Sequence, residues 1–418
     1  MPAREGSGTS FFPPAAPVTI LVLLALTEGA GAQERQERPK YGTFRLGPLF
    51  LTPRLAFRAG VDDNVYNTPT GLSDQSLSAT PTLQVVLPVR RRARLKATGG
   101  LVPQYFHQEA SQRYVDAFGT TTMELDVGPL TAFGGLGGGN YRQRFSLEID
   151  DRIRRHETNN VFGGTLRLGK RVTTTASQLS VTSTYDAEAS LDGNSVSVAL
   201  DLHTVTRRLE MKVPLTRKTS VVPVAEFVED RFLRLSSGLP QSVRSQRYVI
   251  GLQFSELAFL NGRVAAGVHH FGDGEGVTPS NPLVLSVDVG MPFALETRLQ
   301  LSASRDVVYS ATRSTVAAAI RNTYVSTRYR SEILFELPLR LHGRVSLAYL
   351  EARYQQPPDT ERSELPRRDH VWTTGAALLR HLGTHASLGV TVLRERRISP
   401  VDGHSYTGTI LGLAGEVH

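Results

Sequence analysis

The sequence predicts an all-β protein, a transmembrane antiparallel up-and-down β-barrel of about 18 strands. First, about 18 segments alternate apolar and polar residues with a period of two; in residues 283–291 the odd positions are apolar and the even ones include Ser286 and Asp288. Successive side chains of a strand point to opposite faces, so one face can meet lipid and the other water. Second, the connections alternate in length. Third, no stretch beyond the N-terminus approaches the ~18 apolar residues of a membrane-spanning helix.

The connections between the segments are alternately short and long. Short turns are predicted at residues 169–171, 216–219, 258–262, 293–296, 337–339 and 381–384. Long loops are predicted at residues 143–156, 186–203, 234–245, 272–281, 311–318, 355–367 and 396–403. Outer-membrane barrels have short periplasmic turns and longer extracellular loops, so an even strand count places both termini on the periplasmic side. In the loop at 186–203, Val196, Val198 and Leu200 also alternate, which leaves open a strand extension, a segment directed into the lumen, or a total of 16 strands.

The N-terminal 32 residues have the features of a secretory signal peptide. An apolar stretch covers residues 18–26, and Ala30-Gly31-Ala32 fits the small-residue rule for cleavage, which puts the cut after Ala32. The alternative is a membrane anchor, but about nine strongly apolar residues are too few to cross a bilayer as a helix. Residues 33–50 are then predicted to form a periplasmic lead, and residues 51–418 the barrel.

The composition excludes several classes of function. The chain has no Cys, which excludes disulfides, a thiol nucleophile and a Cys-ligated metal. It has 47 Lys and Arg against 39 Asp and Glu, a net charge of +8. In an exported chain this excess favours anionic lipid headgroups or an anionic solute as partners over nucleic acid. A GC-rich genome explains the arginine bias equally well.

The predicted strand that follows Pro338 separates charge from apolar surface. Leu341, Val345 and Leu347 share one parity, whereas Arg344 and its alternates share the other. A charge facing the middle of the bilayer costs about 2–4 kcal/mol, so the arginine parity must face water in the lumen.

Folding the predicted hairpins sets charges of opposite sign against one another on the lumen wall. The predicted pairs are Glu336 with Arg340, Glu332 with Arg344, Arg298 with Glu332, Lys96 with Glu124, and Arg94 with Asp126. The candidate lumen residues are Arg94, Lys96, Glu124, Asp126, Arg298, Arg328, Arg330, Glu332, Glu336, Arg340 and Arg344. Two interpretations remain open: wall residues that neutralise each other, or a charged eyelet that selects solutes, where clustered arginines favour anions.

Aromatic residues are frequent near the ends of the predicted strands. They are Tyr66, Tyr105, Phe106, Tyr114, Tyr141, Phe162, Phe232, Phe271, Tyr309, Trp372 and Tyr406. Rings with a polar tip collect at membrane interfaces, so the pattern predicts an aromatic belt, with packing in a core as the alternative.

No pattern in the chain indicates catalysis. No Ser, His and acidic set is spaced like that of a hydrolase, so no catalytic residue, cofactor or metal site is predicted. Asp62, Asp63 and Asn64 carry oxygen ligands suited to Ca²⁺, but a loop-entry turn explains this short run better.

Several motifs resemble a known family, the outer-membrane β-barrel porins tied to exopolysaccharide gene clusters. The first carries the signature residues Asp62, Asp63, Asn64, Val65 and Tyr66 at the end of the first strand. A strand end with Ser304, Arg305, Asp306, Tyr309 and Ser310 is similar to another motif of that family. The resemblance covers nearly all of the chain after the signal peptide. It implies an outer-membrane location and a role near polysaccharide export, and it implies no catalytic residues.

Three functions remain open at this point. The first is a passive outer-membrane channel, or a barrel associated with polysaccharide export. The second is a plugged barrel that presents its loops to capsule or lipopolysaccharide, and the third is a secreted soluble β-protein. The expected partners are outer-membrane lipid and lipopolysaccharide, the barrel-assembly machinery, and polysaccharide or small anionic solutes; no nucleic acid is expected.

Overall fold

A computed structural model describes residues 44–89, 92–144, 152–169, 171–188, 190–191, 194–234, 241–255, 259–273, 282–294, 296–313, 321–355 and 367–417. Eighteen long antiparallel strands form one closed sheet, which confirms the predicted fold class and strand number. They are β1 (Leu49–Asp62), β2 (Asp74–Val89), β3 (Ala93–Phe106), β4 (Tyr114–Val127), β5 (Leu130–Gln143), β6 (Ile153–Leu168), β7 (Val172–Tyr185), β8 (Leu202–Pro214), β9 (Thr219–Phe232), β10 (Ser242–Phe254), β11 (Asn261–Asp273), β12 (Leu283–Ala294), β13 (Thr297–Arg313), β14 (Arg321–Leu337), β15 (Leu341–Tyr354), β16 (Arg368–His381), β17 (Ala386–Ile398) and β18 (Tyr406–Val417).

The first and the last strand close the barrel. Strand β1 pairs with β18 over eight positions, from Leu55 opposite Val417 to Asp62 opposite Ile410. Every other strand pairs with its neighbours in sequence, so the sheet is an up-and-down barrel without an open edge. A three-residue strand, Phe44–Leu46, pairs with the start of β1, which begins two residues before the predicted position 51. The predicted signal peptide lies outside the described residues.

The two ends of the barrel differ in the length of their connections. Both termini of the sheet lie at the end with short turns, which we call the turn end; the opposite end, with long connections, is the loop end. At the turn end only Gly128 and Pro129 separate β4 from β5. The turn between β14 and β15, Pro338–Arg340, has left-handed backbone at Leu339 and Arg340, whose φ angles are +67° and +60°.

This turn corrects one predicted position. Arg340 lies in the exposed turn, so it is not a residue of the lumen wall. Because the three-residue turn begins one residue later than predicted, Leu337 lies opposite Leu341 and Glu336 lies opposite His342. The predicted pairing of Glu336 with Arg340 is therefore wrong by two positions.

The two faces of the sheet are distinguished by which side chains meet. Arg263 of β11 contacts Glu210 of β8, and Arg247 of β10 contacts Asp306 of β13. Side chains from strands that are not neighbours converge on the concave side of a closed sheet, so this face is the lumen. On the opposite parity, Val345 is 48% exposed, which marks the exterior face.

The exterior face is apolar over most of the circumference. Exposed apolar residues of the exterior include Leu77, Leu101, Met123, Leu209, Ile250, Tyr329, Ile333, Leu347, Val390, Leu411 and Leu413. A contiguous apolar band of this kind suits the hydrocarbon of a bilayer. The alternation predicted for residues 341–349 is confirmed, because Arg344 faces the lumen and Leu347 the exterior.

One sector reverses the usual distribution of polar and apolar side chains. On the lumen side of β6 and β7, Val161, Leu179 and Val181 are buried and form a cluster with Phe133. On the exterior of β7 and β8, Thr182 Oγ1 lies 2.8 Å from Nδ1 of His203. The lumen wall therefore carries a local cluster of apolar side chains in this sector.

Glycines on the wall are covered by aromatic rings from the neighbouring strand. Three directly opposed pairs are Phe57 with Gly415, Phe133 with Gly163 and Phe335 with Gly343. A Cβ at any of these glycines would overlap the ring of its partner. The ring covers the backbone that a side chain would otherwise shield, which stabilises a glycine within a strand.

The connection between β7 and β8 folds inward at the loop end. It contains two paired two-residue strands and a five-residue helix, α1 (Val196–Leu200), so the predicted alternation of Val196, Val198 and Leu200 does not form a strand. Val196 is 1% exposed and packs against Ile153 of β6. Helix α1 also contacts β13, six strands away from β7, so this connection extends across the mouth of the barrel. No helix within the described residues is long and apolar enough to cross a membrane.

The aromatic residues at the strand ends are divided between two environments. Tyr105, Phe162 and Trp372 are 45%, 55% and 43% exposed, as expected for a belt. Phe232 and Phe271 are instead buried and pack with Tyr309 at the loop end. Phe106 and Tyr406 are also buried, so the predicted belt holds only for part of the set.

Candidate functional site in the lumen

A network of ion pairs extends along the lumen wall of β8 to β11. Arg208 of β8 lies directly opposite Glu226 of β9, and its Nη1 donates to Oε1 of Glu226 at 2.9 Å. Arg208 Nη2 also donates to Oε2 of Glu210 at 2.5 Å. Arg263 Nη1, from three strands away, donates to the same Glu210 oxygen at 3.3 Å. Glu210 thus holds two guanidinium groups together on the wall.

The network continues toward the loop end through Arg247. Its Nη1 donates to Oε2 of Glu226 at 3.1 Å, and its Nη2 donates to Asp306. Asp306 Oδ1 also lies 2.9 Å from Nδ1 of His269, which is 4% exposed. Three arginines and three carboxylates therefore alternate across five strands. At one end of the network, Asp306 also contacts His269.

A glycine provides the space for the longest contact of the network. Arg263 crosses β9 and β10 to reach Glu210, and a Cβ at Gly251 of β10 would lie 3.1 Å from Nε of Arg263. A side chain at position 251 would therefore compete with the arginine for the surface of the wall. Gly251 follows the rule that a glycine in a strand often marks a close approach by another group.

A second cluster, on β14 and β15, contains predicted lumen residues. Arg330 and Arg344 both donate to Oε2 of Glu332, at 2.7 Å and 2.5 Å. The predicted contact between Glu332 and Arg344 is present, but it is diagonal, since Ser346 is directly opposite Glu332. A bridging carboxylate between two guanidinium groups leaves this cluster with a net positive charge.

The remaining predicted pair on this side has a different register. Arg298 lies opposite Leu334, whereas Gln300 lies opposite Glu332, so the predicted pairing of Arg298 with Glu332 is wrong. Arg298 and Arg328 still face the lumen, because they share its parity on β13 and β14.

The predicted pairs of β3 and β4 are shifted by two residues. Arg94 lies opposite Glu124 and donates to its Oε2 at 2.6 Å. Lys96 lies opposite Thr122 instead of Glu124, and Asp126 accepts a hydrogen bond from Thr131 at 2.6 Å instead of pairing with Arg94. The sequence identified the right face and the wrong partner, because the residue types determine the face, whereas the conformation of the connection determines the register.

Part of the lumen wall is open to solvent. On β12 and β13, Ser286 lies opposite Ser304 and Asp288 lies opposite Ser302, and all four side chains are exposed. Their neighbours on β14 are Arg328 and Arg330, directly opposite Ser304 and Ser302. The small polar side chains leave this sector accessible to water, and the arginines on the neighbouring strand β14 make it basic.

The signature residues lie at the seam of the barrel. Asn64 Nδ2 donates to the carbonyl of Thr407 at 3.0 Å and to that of Thr68 at 2.8 Å. The backbone N–H of Thr409 donates to Oδ1 of Asp63 at 2.5 Å. Val65 is fully buried, and the hydroxyl of Tyr66 donates to Glu109 at 2.5 Å.

The signature therefore joins β1 to β18 at the loop end. Asp62 Oδ1 accepts the backbone N–H of Asn64 at 3.0 Å, so its carboxylate is used within the turn. Within the described residues, no group of three or more His, Asp or Glu is arranged to hold a metal ion.

Sequence reasoning missed the network on β8 to β11, which contains Arg208, Glu210, Glu226, Arg247, Arg263, His269 and Asp306. One signal was available, since Arg208 and Glu210 share a parity on β8 and Glu226 follows on the next strand. The contacts from β10 to β13 and from β8 to β11 depend on the curvature of the closed sheet. The register of a single hairpin does not specify this curvature.

The structure is similar to solved structures of outer-membrane proteins. The structure is similar to that of OccK3 (OpdO) from Pseudomonas aeruginosa, at 10% identity over 88% of this chain and 95% of that one, with a TM-score of 0.47. The outer membrane protein opdK from Pseudomonas aeruginosa matches at 10% identity over 88% and 98%, with a TM-score of 0.47. A bacterial polysaccharide outer membrane secretin matches at 8% identity over 88% and 98%, with a TM-score of 0.37.

These likenesses concern barrel architecture alone. No protein-family model and no curated protein matches the chain.

Proposed function

We propose that this protein is an outer-membrane channel through which small anionic solutes pass passively. The observation that carries the proposal is the wet, basic sector of the lumen wall on β12 to β15. Its exposed serines and Asp288 provide a solvated path, and arginines stand beside that path. Rings or clusters of arginine give pores a preference for anions.

The charge balance of this sector supports anion selectivity. Arg298, Arg328, Arg330 and Arg344 face the lumen, against Asp288, Glu332 and Glu336. The sector thus has four positive and three negative side chains, apart from Asp306, which pairs with Arg247 in the network. The network on β8 to β11 is balanced by comparison, with three arginines and three carboxylates.

The shape of the barrel supports an outer-membrane location. The apolar exterior suits a bilayer, and a closed antiparallel sheet satisfies its backbone hydrogen bonds without water. Short turns and both ends of the sheet lie together, which is the periplasmic arrangement of outer-membrane barrels. The loop end then faces the cell exterior.

We further propose that the channel is linked to exopolysaccharide export. It is supported by the resemblance of the signature Asp62–Tyr66 and of the strand end around Asp306 to barrels from exopolysaccharide gene clusters. Sugar chains with carboxylate or phosphate groups are anionic, so the basic sector suits them as well as smaller solutes.

A second candidate is a plugged barrel with a role at the cell surface. One observation favours it: helix α1 and its connection extend from β7 to β13 across the mouth. Asp201, at 2% exposure, holds this connection by accepting hydrogen bonds from the backbone of Tyr185 and from Arg234, each at 2.7 Å.

Conductance in a planar lipid bilayer distinguishes the two functions. For a channel we expect stepwise conductance and, under a KCl gradient, a reversal potential of anion-selective sign. Replacing both Arg328 and Arg330 with Gln should reduce that selectivity, whereas Arg231→Gln with Arg244→Gln, on the exterior face, should leave it unchanged. Inserted barrels that conduct no current would support the plugged barrel, and cation selectivity would contradict the proposed solute class.

A further inference from the structure

Four arginines form a basic patch on the exterior of β15, β16 and β17, near the loop end. They are Arg353 of β15, Arg368 of β16, and Arg394 and Arg396 of β17, and all four are exposed. We call them the exterior arginine patch. Their parity is that of the exterior, since Arg396 lies opposite Trp372 and Trp372 lies opposite Tyr349.

The arrangement of the patch is unfavourable without a counter-charge. Arg353 lies directly opposite Arg368, and like charges in that position destabilise an antiparallel pair. Arg394 and Arg396 follow each other on the same face of β17, about 7 Å apart along the strand. None of the four makes an ion pair with a residue that the structure describes.

Another exterior arginine at the loop end is neutralised by a carboxylate on its own strand. Arg231 of β9 donates two hydrogen bonds to Glu229, at 2.9 Å and 2.8 Å, and Arg244 lies opposite Glu229. On the described exterior faces of β15, β16 and β17 there is a single carboxylate, Glu351, which lies opposite His370. The patch therefore has a surplus of positive charge.

The surfaces next to the patch show what kind of molecule fits. Tyr329, Tyr349 and Trp372 form a row of directly opposed rings, with Tyr349 and Trp372 centroids 4.5 Å apart. Rows of Tyr and Trp mark the level of the membrane–water interface. Arg353 and Arg368 lie on the loop-end side of this row, Arg396 lies level with it, and Arg394 lies two residues toward the turn end. The exposed apolar residues Leu347, level with Arg394, and Val390, four residues closer to the turn end, continue the exterior surface.

From these observations we propose that the exterior arginine patch binds the phosphorylated headgroup of an outer-leaflet lipid, as in lipopolysaccharide, whose acyl chains lie against the apolar surface below. The patch supplies cations on the loop-end side of the aromatic row and at its level, and the apolar band continues toward the turn end into the hydrocarbon. Guanidinium groups bind phosphate through charge-assisted, often bidentate hydrogen bonds. The proposal rests on the outer-membrane location and on the loop end facing outward, and it is independent of channel activity.

The chain provides its own reporter for this site. Trp372 is its only tryptophan, and it lies opposite Arg396 within the proposed site. The experiment titrates the full-length protein in detergent micelles with diphosphoryl lipid A, and follows the emission of Trp372. Dephosphorylated lipid A and the acyl-free phosphorylated disaccharide serve as comparison ligands.

The test variant carries Arg394→Gln and Arg396→Gln, and the matched control carries Arg231→Gln and Arg244→Gln. We expect diphosphoryl lipid A to bind the wild type and the control alike, and to bind the test variant at least about tenfold more weakly. Binding should also weaken as salt is raised, because exposed charges are screened. Retained heat-modifiable migration in gels shows that each variant is folded.

Three results would overturn the proposal. One is equal binding of the phosphorylated and dephosphorylated lipids; another is the same loss in the control as in the test variant. The third is equally tight binding of the acyl-free disaccharide, which would identify a site for soluble anions instead of lipid. The bilayer conductance of the test variant should equal that of the wild type. Failure of the lipid-binding proposal can therefore be distinguished from failure of the channel proposal.

Discussion

Asn64 and Thr407 are 343 positions apart in the chain, and a side-chain hydrogen bond of 3.0 Å joins them across the seam between β1 and β18. The same Asn64 side chain also donates to Thr68 and accepts its backbone N–H at 3.0 Å. Asn64 thereby fixes the turn after β1 and the start of β18 together.

Replacing Asn64 with Ala should weaken the closure of the barrel. The carbonyl of Thr407 and the backbone N–H of Thr68 would lose their partner, at a cost of about 1–3 kcal/mol in the free energy of unfolding. Guanidinium unfolding of the refolded protein in detergent measures this cost. Thr70→Ala, in the same loop and exposed, is the control; equal stability of the two variants would contradict the role of Asn64 at the seam.

Replacing Arg247 with Gln should shift the selectivity of the lumen toward cations. This variant removes one positive charge and leaves Glu226 and Asp306 with only Arg208 and His269 as partners. A change in the reversal potential under a KCl gradient measures the shift. Arg231→Gln, on the exterior, should leave the potential as in the wild type; a shift of the same size in that control would show that the network on β8 to β11 is not the cause.

Replacing Asp201 with Ala should open the mouth. Without its carboxylate, the connection that contains α1 loses its bonds to the backbone of Tyr185 and to Arg234. Single-channel recordings should then show larger or longer openings than in the wild type. Asp186→Ala removes an exposed carboxylate from the same connection and should change nothing, so identical recordings from both variants would mean that Asp201 does not restrain the mouth.

Replacing Gly343 with Ala should destabilise the barrel by about 1–3 kcal/mol, because the new Cβ overlaps the ring of Phe335. The overlap predicts strong coupling between the two positions. In the background of Phe335→Ala, the same Gly343→Ala change should cost little. Unfolding of the four proteins in a double-mutant cycle measures the coupling, and additive costs would rule out a direct contact.

The faces of the strands were predictable from the sequence, whereas the partners on those faces were not. Arg344 and Glu332 were expected to meet in the lumen, and they do, because the two-residue period of a strand determines the face. Arg340 was expected on the wall, but Leu339 and Arg340 adopt left-handed backbone conformations that no local pattern announced. A turn that begins one residue later than predicted was enough to shift every partner along β15 by two positions.

Two further features lay beyond any hairpin-based prediction. The contact between Arg263 and Glu210 passes over two intervening strands, so it depends on the curvature of the closed sheet and on the missing side chain at Gly251. Helix α1 was hidden because Val196, Val198 and Leu200 fit a strand period over a segment too short to distinguish the two. Burial of Val196 against Ile153 stabilises the helix. Ile153 is more than 40 positions away in the sequence, so the local pattern does not reveal this contact.

The uneven lining of the lumen has a consequence for transport. On β6 and β7 the lumen wall carries the buried apolar side chains of Val161, Leu179 and Val181, whereas β12 and β13 line their side with short serines. Water in the lumen should therefore lie off-centre, closer to β12 and β13. A traversing anion would pass farthest from the apolar cluster, so substitutions at Val161 or Leu179 should chiefly change how firmly the cylinder keeps its shape.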